Sequence, residues 1–201
     1  EKAITVEWYW CSNFLRRQKL TLLRWCLNVI WISILAIHQF NSNGGIIRLF
    51  VYGTLCDPDV RSVVLGGWKG CIVPAFLRGQ IAVKIVGQNY PALYPQAVGC
   101  VAGLILSGID VRTLTRVSHY ESDEYQVLRR EPIVIGHGPV SALVYFTRRD
   151  VGLSRRRWKL EEWQRRHKQK SLARIDHWMR LWHAGNPLNV QGLTFVCRQL
   201  W

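Results

Sequence analysis

The sequence predicts an α+β domain, on three observations. Short apolar runs rich in β-branched and aromatic residues recur between Ile46 and Thr147, each bounded by Gly, Pro or Asp. A single segment among them, Asp110–Tyr120, carries apolar residues at helical spacing. From Arg155 the pattern turns helical and basic. Strands separated by so few helices argue against a doubly wound parallel sheet, which places a helix between successive strands.

The elements follow in chain order. Arg16, Arg17, Lys19 and Arg24 precede an uncharged run from Trp25 to Ile47, most apolar between Trp25 and Ile37. Basic residues before an apolar stretch have the form of a signal or anchor segment. The strongly apolar part is shorter than the ~20 residues that a spanning helix needs. Asn28 interrupts it, and no small-x-small cleavage site follows. An amphipathic or poorly ordered extension is therefore expected over 1–45, with an anchor as the alternative reading. In a spanning arrangement the basic flank would stay cytoplasmic and the rest would lie outside. The chain begins at Glu1 and its single methionine is Met179, so a processed product, a fragment or an imperfect gene model, with a non-native lead-in, is expected.

Asn41-Ser42-Asn43-Gly44-Gly45 is a turn-forming linker and marks a boundary. A buried strand is expected from Ile46 to Val51, ending at Tyr52-Gly53, with others over Cys71–Ala82, Val98–Leu106, Tyr125–Ile135 and Val140–Thr147. Between them Val111, Leu114, Val117 and Tyr120 recur at helical steps after Asp110, a natural N-cap. In the tail, Leu160 and Trp163, then Leu172, Ile175, Met179 and Trp182, recur at steps of three or four, with Arg and Lys opposite. A basic amphipathic helix broken in its middle is expected there, packed on the strands by its Trp and Leu stripe. The organisation read from the sequence is an extension at 1–45, a domain at 46–150 and a helical tail at 151–201.

Charge sharpens this division. The net charge is +14, of which +3 falls in 1–45, +3 in 46–150 and +8 in 151–201. A nucleic-acid or anionic-membrane reading must therefore rest on the tail, through Arg155-Arg156-Arg157 and Arg165-Arg166 with interleaved Trp. A solubilising face on an amphipathic helix is the preferred reading, so neither a nucleic-acid nor a membrane partner is expected.

The most informative stretch is Leu49-Phe50-Val51-Tyr52-Gly53-Thr54-Leu55, followed by Asp57-Pro58. A strand running straight into Gly-Thr turns where backbone N–H groups can converge on an anionic or polarised oxygen. Alone, such a turn is also compatible with an ordinary β-turn that binds nothing. It is followed in order by Tyr90-Pro91-Ala92-Leu93-Tyr94-Pro95, by His119-Tyr120-Glu121-Ser122-Asp123-Glu124-Tyr125 and by Ala142-Leu143-Val144-Tyr145.

This ordered set resembles the γ-glutamylcyclotransferase-like family, which includes the plant avirulence-induced-gene proteins and the γ-glutamylamine cyclotransferases. The resemblance spans about residues 46–148, and Trp158 to Trp178 looks like the helical tail of bacterial members. It implies a small mixed β-barrel, with Tyr52, Gly53, Thr54 and Leu55 as the substrate-cradling turn and Glu121 as the catalytic carboxylate. Tyr125 and Tyr145 match family tyrosines, Tyr145 being the one favoured for the pocket. The chain departs from the family pattern at Ser118, where Asp is frequent, and at Ser122, where Gly follows the Glu. Asp123 and Glu124 lie close to Glu121, and only the resemblance singles Glu121 out among these acids.

The chemistry implied is cyclisation of a small γ-glutamyl substrate to 5-oxoproline with release of an amine or amino acid. A positioned carboxylate takes a proton from the α-amine and returns it to the leaving nitrogen. No metal or organic cofactor is implied. A catalytically silent binding or regulatory member of the same fold is the second reading, and a nucleic-acid- or membrane-associating protein acting through its tail is the third.

Other signals are set aside. Cys11, Cys26, Cys56, Cys71, Cys100 and Cys197 form no C-x-x-C pair or zinc spacing, so free, largely buried thiols in a reducing cytoplasm are expected, with Cys56 at the site entrance. His167, His177 and His183 never fall four apart. Gly66-Gly67-Trp68-Lys69-Gly70 lacks the Gly-Lys-Ser/Thr of a P-loop, and no Gly-x-Ser-x-Gly elbow occurs.

Overall fold

The apolar run after the linker forms β1 (Ile47–Val51), and it is apolar almost throughout because both of its faces are covered. The computed structural model describes residues 47–122, 124–148 and 152–185. The expected extension at 1–45, with Cys11 and Cys26, lies outside the described residues, as do Ile46, Asp123 and Cys197.

β1 leads into a 3-10 turn, Gly53–Cys56, and a short helix α1, Pro58–Leu65. A long hairpin follows, β2 (Ile72–Ile85) and β3 (Pro91–Ile109), then α2 (Val111–Glu121). After α2 come β4 (Tyr125–Arg130), the short β5 (Ile133–Val134) and β6 (Gly138–Pro139), and β7 (Ala142–Thr147). The chain ends its described part with β8 (Leu153–Arg157), α3 (Leu160–Arg166) and α4 (Lys168–Gly185).

The strands make one mixed sheet in the order β4-β7-β1-β3-β2-β5-β6, with β8 on the other part of β2. β1 is antiparallel to β3 (Phe50 opposite Ile105) and parallel to β7 (Phe50 opposite Val144). Among the described residues this order does not close, so the sheet curls into a half-barrel and the fold is α+β.

Alternation along β1 serves two cores. Ile47, Leu49 and Val51 face the helices and pack with Val60, Val64, Leu114, Val117, Trp163 and Met179. Phe50 faces the hollow of the sheet, with Leu77, Leu93, Ile105 and Val144. Each such side chain contributes about 1.5–3 kcal/mol on burial, so these two clusters dominate the stability of the fold.

Several expectations are corrected. Arg155-Arg156-Arg157 belongs to strand β8, with Arg157 opposite Val83 and Leu153 opposite Ile85, and helix begins only at Leu160. The open edge of β2 captures this basic run through ladder hydrogen bonds, which a polar helical pattern does not reveal. β3 starts at Pro91 rather than Val98, because Pro91 takes the first strand position, where no ladder N–H is needed, and Pro95 sits opposite Gln80 beside a bulge. That bulge falls between Arg78 and Gln80, at Gly79 with φ +75°. Cys71 and Cys100 are exposed rather than buried; Cys100 lies opposite Arg78 on an outward position of the hairpin.

The helices of the tail break at His167, and their stripe is the packed face: Trp163, Met179 and Trp182 are buried, with Leu160, Leu172 and Ile175 against the core. Asp57 anchors them. Its carboxylate caps α1 by accepting from the Asp59 and Val60 amides and also takes Gln164 of α3 (2.8 Å) and Lys168 of α4 (2.8 Å). Among the described residues, no helix is long and apolar enough to cross a membrane.

Candidate functional site

Glu121 is the last residue of α2, and Asp110 starts that helix by accepting from the Thr113 amide at 2.7 Å, the N-cap expected of it. α2 therefore ends at a defined place, beside the turn that ends β1. Two hydrogen bonds hold the join. Thr54 Oγ1 and Tyr120 Oη share one at 2.7 Å, and Ser118 Oγ shares another with Tyr145 Oη at 2.6 Å. The Ser118 position is thus a tie between α2 and β7, and it carries no charge.

The turn has a steric reason for its glycine. Gly53 has φ +67°, and a Cβ there would stand 2.5 Å from Cγ of Pro91. Arg61 closes the other end by donating to the carbonyls of Leu55 (3.1 Å) and Cys56 (2.7 Å). Tyr52 Oη donates to the Tyr145 carbonyl at 2.9 Å, which fixes the residue just before the turn.

Between this turn, the end of α2 and one face of α4 lies a cavity of about 640 Å³. Of the residues expected in a site, Tyr52, Thr54, Glu121 and Tyr125 line it. Gly53 and Leu55 lie behind the wall, Gly53 against Pro91 and Leu55 in the helix-side core. Tyr145 is also buried behind the wall, holding Ser118 and Tyr52. Cys56 lines a second cavity of about 490 Å³ across the turn, with Gly53, Cys100 and Trp158. Burial pushes its thiol up to about 11, away from the reactive thiolate range.

The lining also includes residues that sequence reasoning did not assign to a site. Tyr90 and Pro91 come from the head of β3, and Tyr120 and Glu124 flank Glu121. Ser171, Arg174, Ile175, His177 and Trp178 come from α4. The Tyr90-Pro91 pair was visible as part of a motif. The α4 face was visible only as a packing stripe.

Hydrogen bonding separates Glu121 from its neighbours. Tyr90 Oη donates to Glu124 Oε2 at 2.7 Å, Tyr125 Oη donates to the Pro91 carbonyl at 2.7 Å, and Tyr120 is paired with Thr54. The Glu121 carboxylate makes no hydrogen bond or ion pair among the described residues. Burial raises its pKa to about 8, because a carboxylate without compensating donors is disfavoured away from water. Burial, and then the charge of Glu121, in turn push the Tyr52 and Tyr120 hydroxyls well up, so both stay protonated.

The residue after Glu121 is strained. Ser122 has φ 59° and ψ −167°, a region that suits glycine. A side chain thus stands where the backbone conformation suits glycine. Among the described residues there is no group of three or more His, Cys, Asp or Glu that would hold a metal.

Comparison with known proteins fits this geometry. "AIG2-like protein A" of Arabidopsis thaliana is 31% identical over 133 residues, covering 62% of this chain and 76% of that relative. "Protein AIG2 C" of the same plant is 27% identical over 126 residues, 61% and 75% of the two chains. A solution structure of an Arabidopsis thaliana protein superposes with a TM-score of 0.50 at 26% identity, over 73% of this chain and 88% of that one. The model of a family described as "Gamma-glutamyl cyclotransferase, AIG2-like" matches residues 49–165, which include the turn, Tyr90, Glu121 and Tyr125. With more than half of its length inside that match, the chain belongs to the gamma-glutamyl cyclotransferase, AIG2-like family.

Proposed function

We propose that the protein is a γ-glutamylcyclotransferase that converts a γ-glutamyl amino acid or amine to 5-oxoproline and the free amine, with Glu121 as general base and acid. The observation that carries this is the placement of the Glu121 carboxyl, without a hydrogen-bond or ion-pair partner among the described residues, in the wall of a cavity shared with Tyr52 and Thr54, where burial raises its pKa to about 8.

A general base works best with a pKa near the ambient pH, and an ordinary glutamate at about 4.5 is too weak to take a proton from an ammonium group. In this mechanism Glu121 accepts a proton from the substrate α-ammonium. The amine attacks the γ-carbonyl carbon of the same molecule and closes a five-membered ring. The C–N bond to the leaving group then breaks as Glu121 returns the proton to the departing nitrogen. The second proton of the ring nitrogen passes through the same carboxylate to the released amine, leaving 5-oxoproline and an ammonium group. Holding nucleophile and carbonyl in one cavity supplies the advantage of an intramolecular attack. Of the Gly53–Cys56 turn, Thr54 lines the cavity and suits contact with the substrate carboxylate or the oxyanion. All of these steps use side chains and backbone alone.

Purified protein incubated with γ-glutamyl-alanine, γ-glutamyl-ε-lysine or glutathione is expected to release 5-oxoproline. Glu121→Gln is expected to lower kcat/KM by about 100- to 10,000-fold with an unchanged circular-dichroism spectrum. Retention of wild-type turnover in that variant would sink the assignment.

A further inference from the structure

The domain matched by the family model stops at residue 165, yet one wall of the cavity is built by α4, beyond it. This wall is firmly placed. Trp178 stacks on His119 of α2 with ring centroids 4.4 Å apart and planes 11° from parallel. Two hydrogen bonds frame the stack: Trp178 Nε1 donates to the His119 carbonyl at 3.0 Å, and His119 Nε2 donates to the Trp178 carbonyl at 3.1 Å. At the other end, Lys168 meets Asp57 and Asp59, and Asn89 Nδ2 donates to Ser171 Oγ at 3.4 Å. Arg174 lies between these two anchorages.

Arg174 is the one Lys or Arg among the described lining residues. Its guanidinium is exposed and makes no hydrogen bond or ion pair among the described residues, although Glu124 stands in the same cavity. Glu124 instead accepts from Tyr90 at 2.7 Å. A guanidinium carries five donors in a planar fork that matches a carboxylate. An unengaged fork on a fixed wall is a recognition element for a carboxylate brought in from outside.

The proposed reaction decides which carboxylate. In it the γ-glutamyl half of the substrate engages Glu121 and Thr54, the latter joined to Tyr120 at 2.7 Å. Arg174 lines the same cavity and is left for the other half of the substrate; its charge acts on the Tyr90 hydroxyl against those of Glu124 and Glu121.

We propose that Arg174 is a specificity residue that holds a carboxylate on the leaving group, so that γ-glutamyl amino acids and peptides are preferred to γ-glutamylamines without one. The inference rests on the cyclotransferase reading. Arg174 touches no reacting atom in this arrangement, so its loss acts on KM rather than on kcat.

The test compares γ-glutamyl-alanine with γ-glutamyl-ethylamide, which lacks only the carboxylate of the leaving group. The wild-type full chain is expected to favour the alanine compound by about tenfold in kcat/KM, the worth of a charge-assisted hydrogen-bond pair. In Arg174→Ala that preference disappears through a raised KM for the alanine compound, while turnover of the ethylamide is unchanged. Arg174→Lys retains part of the preference. An equal loss on both substrates, or no change on either, overturns the proposal. If the wild-type protein releases no 5-oxoproline from either compound, the cyclotransferase reading itself fails. Calorimetric titration of γ-glutamyl-alanine into Glu121→Gln, with and without Arg174→Ala, then still reads the contact: weaker binding by about tenfold is expected, and equal affinity overturns it.

Discussion

Gly53 and Ser122 flank the candidate catalytic carboxyl with opposite relations between residue and backbone. Gly53 fits its φ of +67° and leaves room for the Pro91 ring. Gly53→Ala is expected to lower stability by about 2 kcal/mol or more, since a left-handed Ala alone costs about 1–2 kcal/mol and the contact with Pro91 adds to it. Pro91 also presents the carbonyl that orders Tyr125, so kcat/KM should fall with the melting temperature. Ser122, at φ 59°, bears a side chain where glycine fits better. Ser122→Gly is expected to raise the unfolding free energy by about 1 kcal/mol with activity retained, measured by urea denaturation. A drop in stability would mean that the Ser122 hydroxyl, which accepts from the Glu124 amide at 3.4 Å, outweighs the relief of strain. Glu121 ties stability to pH. Its pKa is raised on folding from 4.5 to about 8, so the folded state holds the proton more tightly. The contribution is fully present below about pH 4.5 and is lost as pH rises to about 8. Glu121→Gln should therefore be more stable than the wild type at about pH 9, with no advantage at about pH 4. The ascending limb of the kcat/KM profile should have its midpoint near 8.

Helix α1 shows how a single acid organises several elements. Asp57 caps it, receives Gln164 and Lys168, and is fully buried. Burial by itself raises the pKa of this carboxyl. The hydrogen bonds from Lys168, Gln164 and the Val60 and Asp59 amides outweigh it and hold the group below the usual carboxylate range. The stabilisation is thus present above the unfolded carboxylate pKa of about 3.9 and is lost as pH falls through the lower folded value. Asp57→Asn is expected to cost about 1–3 kcal/mol at neutral pH, read by thermal melting, and to narrow that gap in acid. The signals for α1 stood in the sequence: Asp57 as cap, Pro58 at the first helical position and Gly66 after the last residue. They were hidden because Asp57-Pro58 also reads as the close of a turn. β8 was hidden for another reason. Arg155, Arg156 and Arg157 have the polarity of a helix face, and only the free edge of β2 makes them a strand. By contrast, β1, β7 and α2 carry their own patterns, continuous apolar runs and a capped 3.6-residue period, and all three were legible. In the candidate site, motif order pointed to Glu121, Tyr52, Thr54 and Tyr125, which line the cavity, and also to Gly53, Leu55 and Tyr145, which lie behind its wall. Arg174 was not, because its place depends on how α4 lies across the cavity.

The molecule as a whole joins its basic tail to the strand domain. Met179 and Trp163 are each 2% exposed and belong to the same core as Leu49 and Leu114. Met179→Ala is expected to cost about 2–4 kcal/mol in one cooperative transition. A separate early transition with no effect on the main one would show the tail to be independent. This arrangement packs the apolar stripe of the tail helices on the strand domain and gives another face of α4, Arg174 included, to the wall of the cavity. The unpaired carboxyl of Glu121 has a consequence for ligand uptake that follows from proton conservation. Near neutrality the empty site holds that proton, and an arriving ammonium group draws the carboxyl toward its charged form. Uptake of such a ligand should expel close to one hydrogen ion into the medium. Apparent affinity should then strengthen as the solution becomes more alkaline, up to about pH 8, and the heat of uptake should change with the ionisation enthalpy of the buffer.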